Sequence, residues 1–235
     1  ANAPYVPIPS KIDRTKEPPK GADPVVNLPK IWQGKTKNGI QVYGIKQSEV
    51  PLVQFGIVIK GGMLLDDPSK VGVGSLTARL MNEGTKTKTP VELREAIQDL
   101  GANISIQGGS EIITLMGSCL VSKLNETFAL AKEMLFEPRW DEKEFALAKS
   151  QTIEQLKRNE TAPSSIANSV FNKLVYGADN ILSQDPAGTV KSVEGITLDD
   201  LKNYYERYFS PSVAKVTIVG DITQEKAVAV FNGLQ

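Results

Sequence analysis

Histidine is absent from this 235-residue chain, and cysteine occurs once, at Cys119. Without imidazole there is no Ser-His-Asp triad, no Cys-His pair and no histidine-bound zinc. A single thiol excludes an internal disulfide and every multi-cysteine metal cluster. Net charge is missing too: 27 basic residues offset 27 acidic ones, which argues against a general electrostatic grip on nucleic acid or anionic lipid. No run approaches the ~18 consecutive apolar residues of a membrane span, and no basic start leads into an apolar core as a signal peptide would, so membrane insertion is not expected. The rest is ordinary for a globular chain: with 40% apolar and 23% charged residues, the bulk is not disordered. The opening alanine is taken as the start of a processed or excised chain. One cysteine fits either a reducing cytosol or a disulfide-free periplasm.

Proline is unevenly spread. Pro4, Pro7, Pro9, Pro18, Pro19, Pro24 and Pro29 supply half of the chain's 14 prolines. Such a segment cannot hold a helix, so residues 1–29 are expected to be a linker or N-terminal extension, ahead of the α+β domain expected over 30–235. From residue 38 the pattern changes. Asn38-Gly39 marks a turn, Ile40, Val42 and Ile45 begin a strand, and Leu52 to Ile59 form the strongest strand signal. Asp66-Asp67-Pro68-Ser69 signals a helix start, with Val71, Leu76 and Leu80 following on one face. Thr89-Pro90 with Glu92 opens a second helix. Ala102–Gln107 and Glu111–Leu120 alternate as a hairpin across Gly108-Gly109.

Helices follow. Leu124, Phe128, Ala131 and Leu135 recur at the spacing of a buried stripe. Asp141-Glu142 begins a longer helix through about Arg158, and Pro163 starts another carrying Ile166, Val170 and Leu174. Thr197-Leu198-Asp199-Asp200 caps a further helix with Leu201, Tyr205 and Tyr208 inward and Tyr204 pointing elsewhere. Val213 to Val219 is a buried strand, and a last helix follows Thr223. Strands and helices are grouped rather than alternating. That predicts an α+β fold with a largely antiparallel sheet.

Local motifs carry little chemistry. Gly62, Gly72 and Gly74 lack the Gly-Lys-Ser/Thr ending of a phosphate loop, so helix–sheet packing accounts for them better. Ser75 has no histidine to take its proton and no Ser-x-x-Lys frame. The acidic pairs sit where helix N-termini favour carboxylates, and Cys119 lies in an apolar strand.

One segment stands out when the order of elements is considered. Gly72-Val73-Gly74-Ser75-Leu76-Thr77-Ala78-Arg79-Leu80-Met81-Asn82-Glu83-Gly84-Thr85 resembles the signature helix of the insulinase/pitrilysin-like zinc peptidases, which carries H-x-x-E-H ahead of a Gly-Thr. In that family two histidines bind zinc from one helix face and the glutamate activates water. The resemblance places Ser75 and Arg79 at the histidine positions and Ala78 at the glutamate position. The family's third ligand is a glutamate about 76 residues further on; that offset falls on Gln155, and a second family glutamate corresponds to Ala148. Glu154 is next to Gln155 but about 100° round the helix, so it does not substitute.

Gly61-Gly62, Leu100-Gly101-Ala102-Asn103-Ile104, Leu174-Val175-Tyr176-Gly177 and the YERYFSPSVAKVTIVGD run from Tyr205 to Asp221 are similar to further family segments, so the likeness covers roughly residues 28–235. It implies a mostly antiparallel or mixed sheet of five to six strands packed against a layer of helices. It also implies a domain that binds no zinc and hydrolyses nothing by itself. Family members enclose a chamber between two halves, of which one usually carries the zinc. This chain resembles the first domain of a zinc-free half that completes the chamber, with a zinc-bearing half, on the same polypeptide or a separate subunit, and a peptide substrate as partners. The break at Gly233-Leu234-Gln235 then suggests truncation before a second domain. Substrate joins a sheet edge in the active domains, so the matching strand here, Ala102, Asn103, Ile104, Ser105, Ile106 and Gln107, is either a peptide-facing edge or a plain structural one. A bacterial periplasmic or envelope setting is expected from the same resemblance. The alternative is a structural scaffold, like the zinc-free core proteins of respiratory complexes.

Overall fold

The computed structural model describes residues 13, 15–17, 20–23 and 28–234, so the linker expected over 1–29 lies largely outside the described residues. Six strands form one sheet: β1 (Ile31–Lys35), β2 (Gln41–Lys46), β3 (Leu52–Lys60), β4 (Asn103–Gly108), β5 (Ile112–Leu120) and β6 (Ala214–Gly220). Their order is β1-β2-β6-β3-β5-β4, with β2 and β6 parallel and every other neighbour antiparallel. The helices are α1 (Val73–Leu80), α2 (Pro90–Asp99), α3 (Leu124–Phe136), α4 (Glu142–Thr161), α5 (Pro163–Tyr176), α6 (Val190–Glu194), α7 (Leu198–Tyr208) and α8 (Gln224–Phe231). This is the α+β fold with a mixed six-stranded sheet that the sequence predicts.

Period-two alternation sets which face of the sheet is buried. Val53, Phe55, Ile57 and Ile59 of β3, Ile113, Leu115 and Cys119 of β5, and Val216 and Ile218 of β6 all point into the core. Their neighbours Gln54, Met116, Lys215 and Val219 are exposed on the other face. Phe55, Phe128 of α3 and Phe231 of α8 meet edge to face at centroid distances of 5.1–6.1 Å, which ties two helices to the central strand. Gly117 is the cross-strand partner of Phe55, and a Cβ there would lie 2.2 Å from the ring. The absent side chain is what lets the ring lie flat on the sheet.

Three expectations need correction. Strand β1 and the short α6 were not predicted: β1 is half exposed in alternation, and α6 has only five residues to show a period. The first long helix does not begin after Asp66. Residues 66–69 form a turn, in which Asp67 Oδ1 accepts from the Ser69 amide at 2.8 Å, and α1 starts only at Val73. Tyr204 does not point away: it is 4% exposed, and its hydroxyl donates to the Gly62 carbonyl at 3.0 Å. Side-chain-free Gly61 and Gly74 give the ring its space, since a Cβ on either would come within 3.2 Å of the phenol oxygen. Tyr205 and Tyr208 sit partly buried at the rim of the core.

Candidate functional site

Helix α1 is positioned by a carboxylate outside it. Its N-cap, Gly72, has φ 114° and no side chain to offer, so the orphan amides need another acceptor. Asp66 supplies it: Oδ2 accepts from the Gly72 amide at 2.8 Å and Oδ1 from the Gly74 amide at 2.9 Å. Burial pushes the Asp66 carboxyl up to about 6, against the downward pull of these hydrogen bonds. The adjacent phenol of Tyr204 is pushed up from its usual value, by burial first and by the Asp66 charge second. Lys70, in the turn before α1, reaches Asp200 at the start of α7 at 2.7 Å, which fixes the helix from a second side.

From this anchored start α1 presents Ser75 and Arg79 toward α4. The Ser75 hydroxyl donates to the Pro186 carbonyl at 2.7 Å. Arg79 Nη1 donates to Thr152 Oγ1 at 3.0 Å, and Nη2 to Gln151 Oε1. Thr152 in turn donates to the Ala148 carbonyl one turn back at 2.8 Å. Gln155 binds along its own helix, donating to Asn159 Oδ1 and accepting from Arg158 Nη2, both at 2.8 Å. Ser75, Arg79, Thr152, Gln155 and Asn159 nevertheless line one pocket of about 210 Å³. Three of the four residues singled out in the sequence therefore share one cavity, although 76 positions separate Arg79 from Gln155 in the chain. The fourth, Ala78, is fully buried in α1 and does not line the cavity, and Ala148 is a buried residue of α4. Glu154 points away, paired with Lys157 at 3.2 Å.

The candidate peptide-facing segment is an outer strand of the sheet. The strand runs Asn103–Gly108, so Ala102 stands just before it, its amide donating to the Ile97 carbonyl at 3.1 Å. Its end presses on the pocket helix, because a Cβ on Gly108 would lie 2.9 Å from Ser75 Cα. Sequence reasoning missed what happens on the outer side. Asn82, just past α1, accepts from the Ile106 amide at 2.8 Å and donates to the Ile106 carbonyl at 2.9 Å, as a neighbouring strand would. It also missed Gln151 as a holder of Arg79, although its place one turn before Gln155 was visible.

The comparisons with known proteins bear on this geometry. The family model for insulinase, peptidase family M16, matches residues 42–181. The chain belongs to this family. The model of the peptidase M16 inactive domain matches residues 195–235. An uncharacterized zinc protease, YmxG, of Bacillus subtilis is 24% identical over 187 residues, covering 80% of this chain and 46% of the relative. A Helicobacter pylori protein named non-peptidase homolog YmxG is 22% identical over 212 residues, covering 86% and 49%. The chain thus spans about half the length of these relatives. Among solved structures, the peptidase M16 inactive domain from Pseudomonas fluorescens superposes with a TM-score of 0.80 at 22% identity, over 86% of this chain and 49% of that one. The periplasmic protease PqqL of Escherichia coli gives 0.76 at 18%, over 86% and 23%.

Family membership raises the question of zinc, and the residues present do not fit it. The Ser75 hydroxyl is committed to a carbonyl, Arg79 is a cation, and Gln155 is a neutral amide. Among the described residues no three His, Cys, Asp or Glu side chains are grouped to hold a metal ion. Nor is any helix of the described residues long and apolar enough to cross a membrane. Beside the pocket, α5 has no buried residue: Ile166, Val170, Phe171, Leu174, Val175 and Tyr176 are all exposed, Leu174 by 81%. Grooves of about 540 and 550 Å³ flank this helix.

Proposed function

We propose that this chain is a non-catalytic domain of an insulinase-family peptidase, which completes the peptide-binding chamber and supports a zinc-bearing half in proteolysis. The observation that carries this reading is the pocket between α1 and α4. Ser75, Arg79 and Gln155, the residues at the family's metal positions by resemblance, still converge there, but with an arginine clamped to Thr152 and Gln151. A cation fixed at that place repels a metal ion, so hydrolysis falls to the other half, which would hold the zinc and act as a metalloendopeptidase. The length of the relatives, about twice the matched segment, supports a further unit in the parent protein or complex. The exposed apolar side chains of α5, next to the pocket, suit a face that a peptide or the other half covers.

Peptide addition along β4 is restricted in this reading, because Asn82 already occupies the outward groups of Ile106. The periplasmic description of PqqL supports an envelope setting for the parent. The test is co-purification with a zinc-bearing half of the family, followed by a peptidase assay of the pair and of the active half with this domain removed. Loss of activity on removal is expected. Normal activity without the domain overturns the proposal, and stable association with no effect on proteolysis leaves a scaffold role in its place.

A further inference from the structure

The pocket at the proposed metal positions contains a cation that forms no ion pair among the described residues. Arg79 is partly buried, and both of its described partners, Thr152 and Gln151, are neutral. Among the described residues no carboxylate oxygen lies within 4.0 Å of its guanidinium. Asp185 borders the same pocket, but its Oδ1 is turned to the Ala187 amide at 2.8 Å. A guanidinium has five donors in a planar fork, and two hydrogen bonds leave the others open. Around it stand the hydroxyl of Ser75 and the amides of Gln155 and Asn159. A half-desolvated cation is costly unless an anion or further acceptors complete its shell. At about 210 Å³ the cavity falls below the ~300 Å³ of sites for drug-sized ligands, and it has room for one side chain or chain end.

We infer that the Arg79 pocket is a carboxylate-binding site for peptide: the former metal position holds an acidic side chain or a free C-terminus, gripped by the arginine fork. The site thereby exchanges a cation that attracts the substrate carbonyl for one that attracts a substrate carboxylate. The inference rests on the chamber reading for its peptide ligand, but it is tested on the 235-residue chain alone, without any proteolysis. The probes are three N-acetylated peptides with one apolar spine: an interior glutamate with an amidated end, an interior glutamine with a free end, and an interior glutamine with an amidated end.

Isothermal titration should show at least one charged peptide binding about tenfold or more tighter than the neutral one, as a charge-assisted fork requires. Which of the two keeps the advantage identifies the source of the carboxylate. Arg79→Gln should erase the preference. Gln151→Glu should erase it as well, by placing an internal carboxylate at the atom that already accepts from Arg79. If Arg79→Gln fails to fold, Gln151→Glu alone decides. Equal affinity for the three peptides, no binding of any, or a charge preference that survives Gln151→Glu overturns the inference. None of these outcomes touches the chamber reading, which falls only if the active half works normally by itself.

Discussion

Asp66 couples the stability of the domain to pH through one proton. Its folded value of about 6 stands above its ordinary 3.8 because burial disfavours the charge. The folded chain therefore keeps the proton over a range where the unfolded chain has released it. Stability contributed by this group is full below about pH 4 and falls as pH rises toward 6, by an amount on the order of 3 kcal/mol. Asp200, Glu133 and Asp141 are shifted downward and give the opposite slope at lower pH, so the wild-type curve alone hides the effect. The difference between wild type and Asp66→Asn, from urea unfolding at pH 4 to 7, isolates it: the wild type should lose ground steadily between pH 4 and 6. Parallel curves would refute this. A second residue-scale prediction concerns space rather than charge. Gly117→Ala places a methyl 2.2 Å from Phe55 Cζ, in a ring cluster that also holds Phe128 and Phe231. Overpacking of this kind costs about 1–3 kcal/mol, and a denaturation midpoint unchanged from wild type would show that the ring moves aside freely.

Elements were legible in the sequence where period and caps agreed. β3 is a long apolar run, β5 alternates without a break, α3 carries a clean helical stripe, and α2 and α7 begin in full capping boxes at Thr89 and Thr197. The start of α1 was not legible, because its cap is a side chain six residues before Gly72, held there by tertiary contact. Tyr204 was misjudged although it stands three residues after Leu201, about 60° round α7 and on the same face; the floor of glycines from two other segments that gives the ring its space is visible only in the fold. α5 carries the spacing of a buried stripe yet buries nothing, since period reports an apolar face and not what covers it. The edge of β4 was legible as an edge but not as a closed one. Asn82 satisfies the Ile106 amide and carbonyl, the groups that would otherwise template another strand. Asn82→Ala should therefore cost about 1–3 kcal/mol from the unpaired groups, and open the sheet to self-association. Sedimentation velocity across a concentration series would detect that association, and a destabilised variant that associates no more than the wild type would limit Asn82 to a structural part.

At the scale of the whole molecule, the proposal that the α1–α4 pocket stands at the family's metal position becomes a question of geometry. Two helices far apart in sequence, α1 and α4, must be held at a fixed spacing for three ligands to converge. That spacing is maintained by parts unrelated to metal: the Asp66 cap, the Lys70–Asp200 pair and the Arg79 bonds to α4. If the fold alone keeps that geometry, supplying ligands at these positions should confer metal binding. The triple variant Ser75→His, Arg79→His, Gln155→Glu removes the resident cation and supplies two imidazoles and a carboxylate from the same cavity wall. It should take up one zinc per chain by metal analysis. At free zinc a hundred times its dissociation constant, it should gain about 2.7 kcal/mol in stability, while the wild type shows no zinc-dependent shift. Peptide hydrolysis is not expected of this variant, because Ala78 leaves no carboxylate to activate water. A folded triple variant that binds no zinc would mean the helices have drifted from ligand geometry. The pocket would then owe its shape to the arginine clamp.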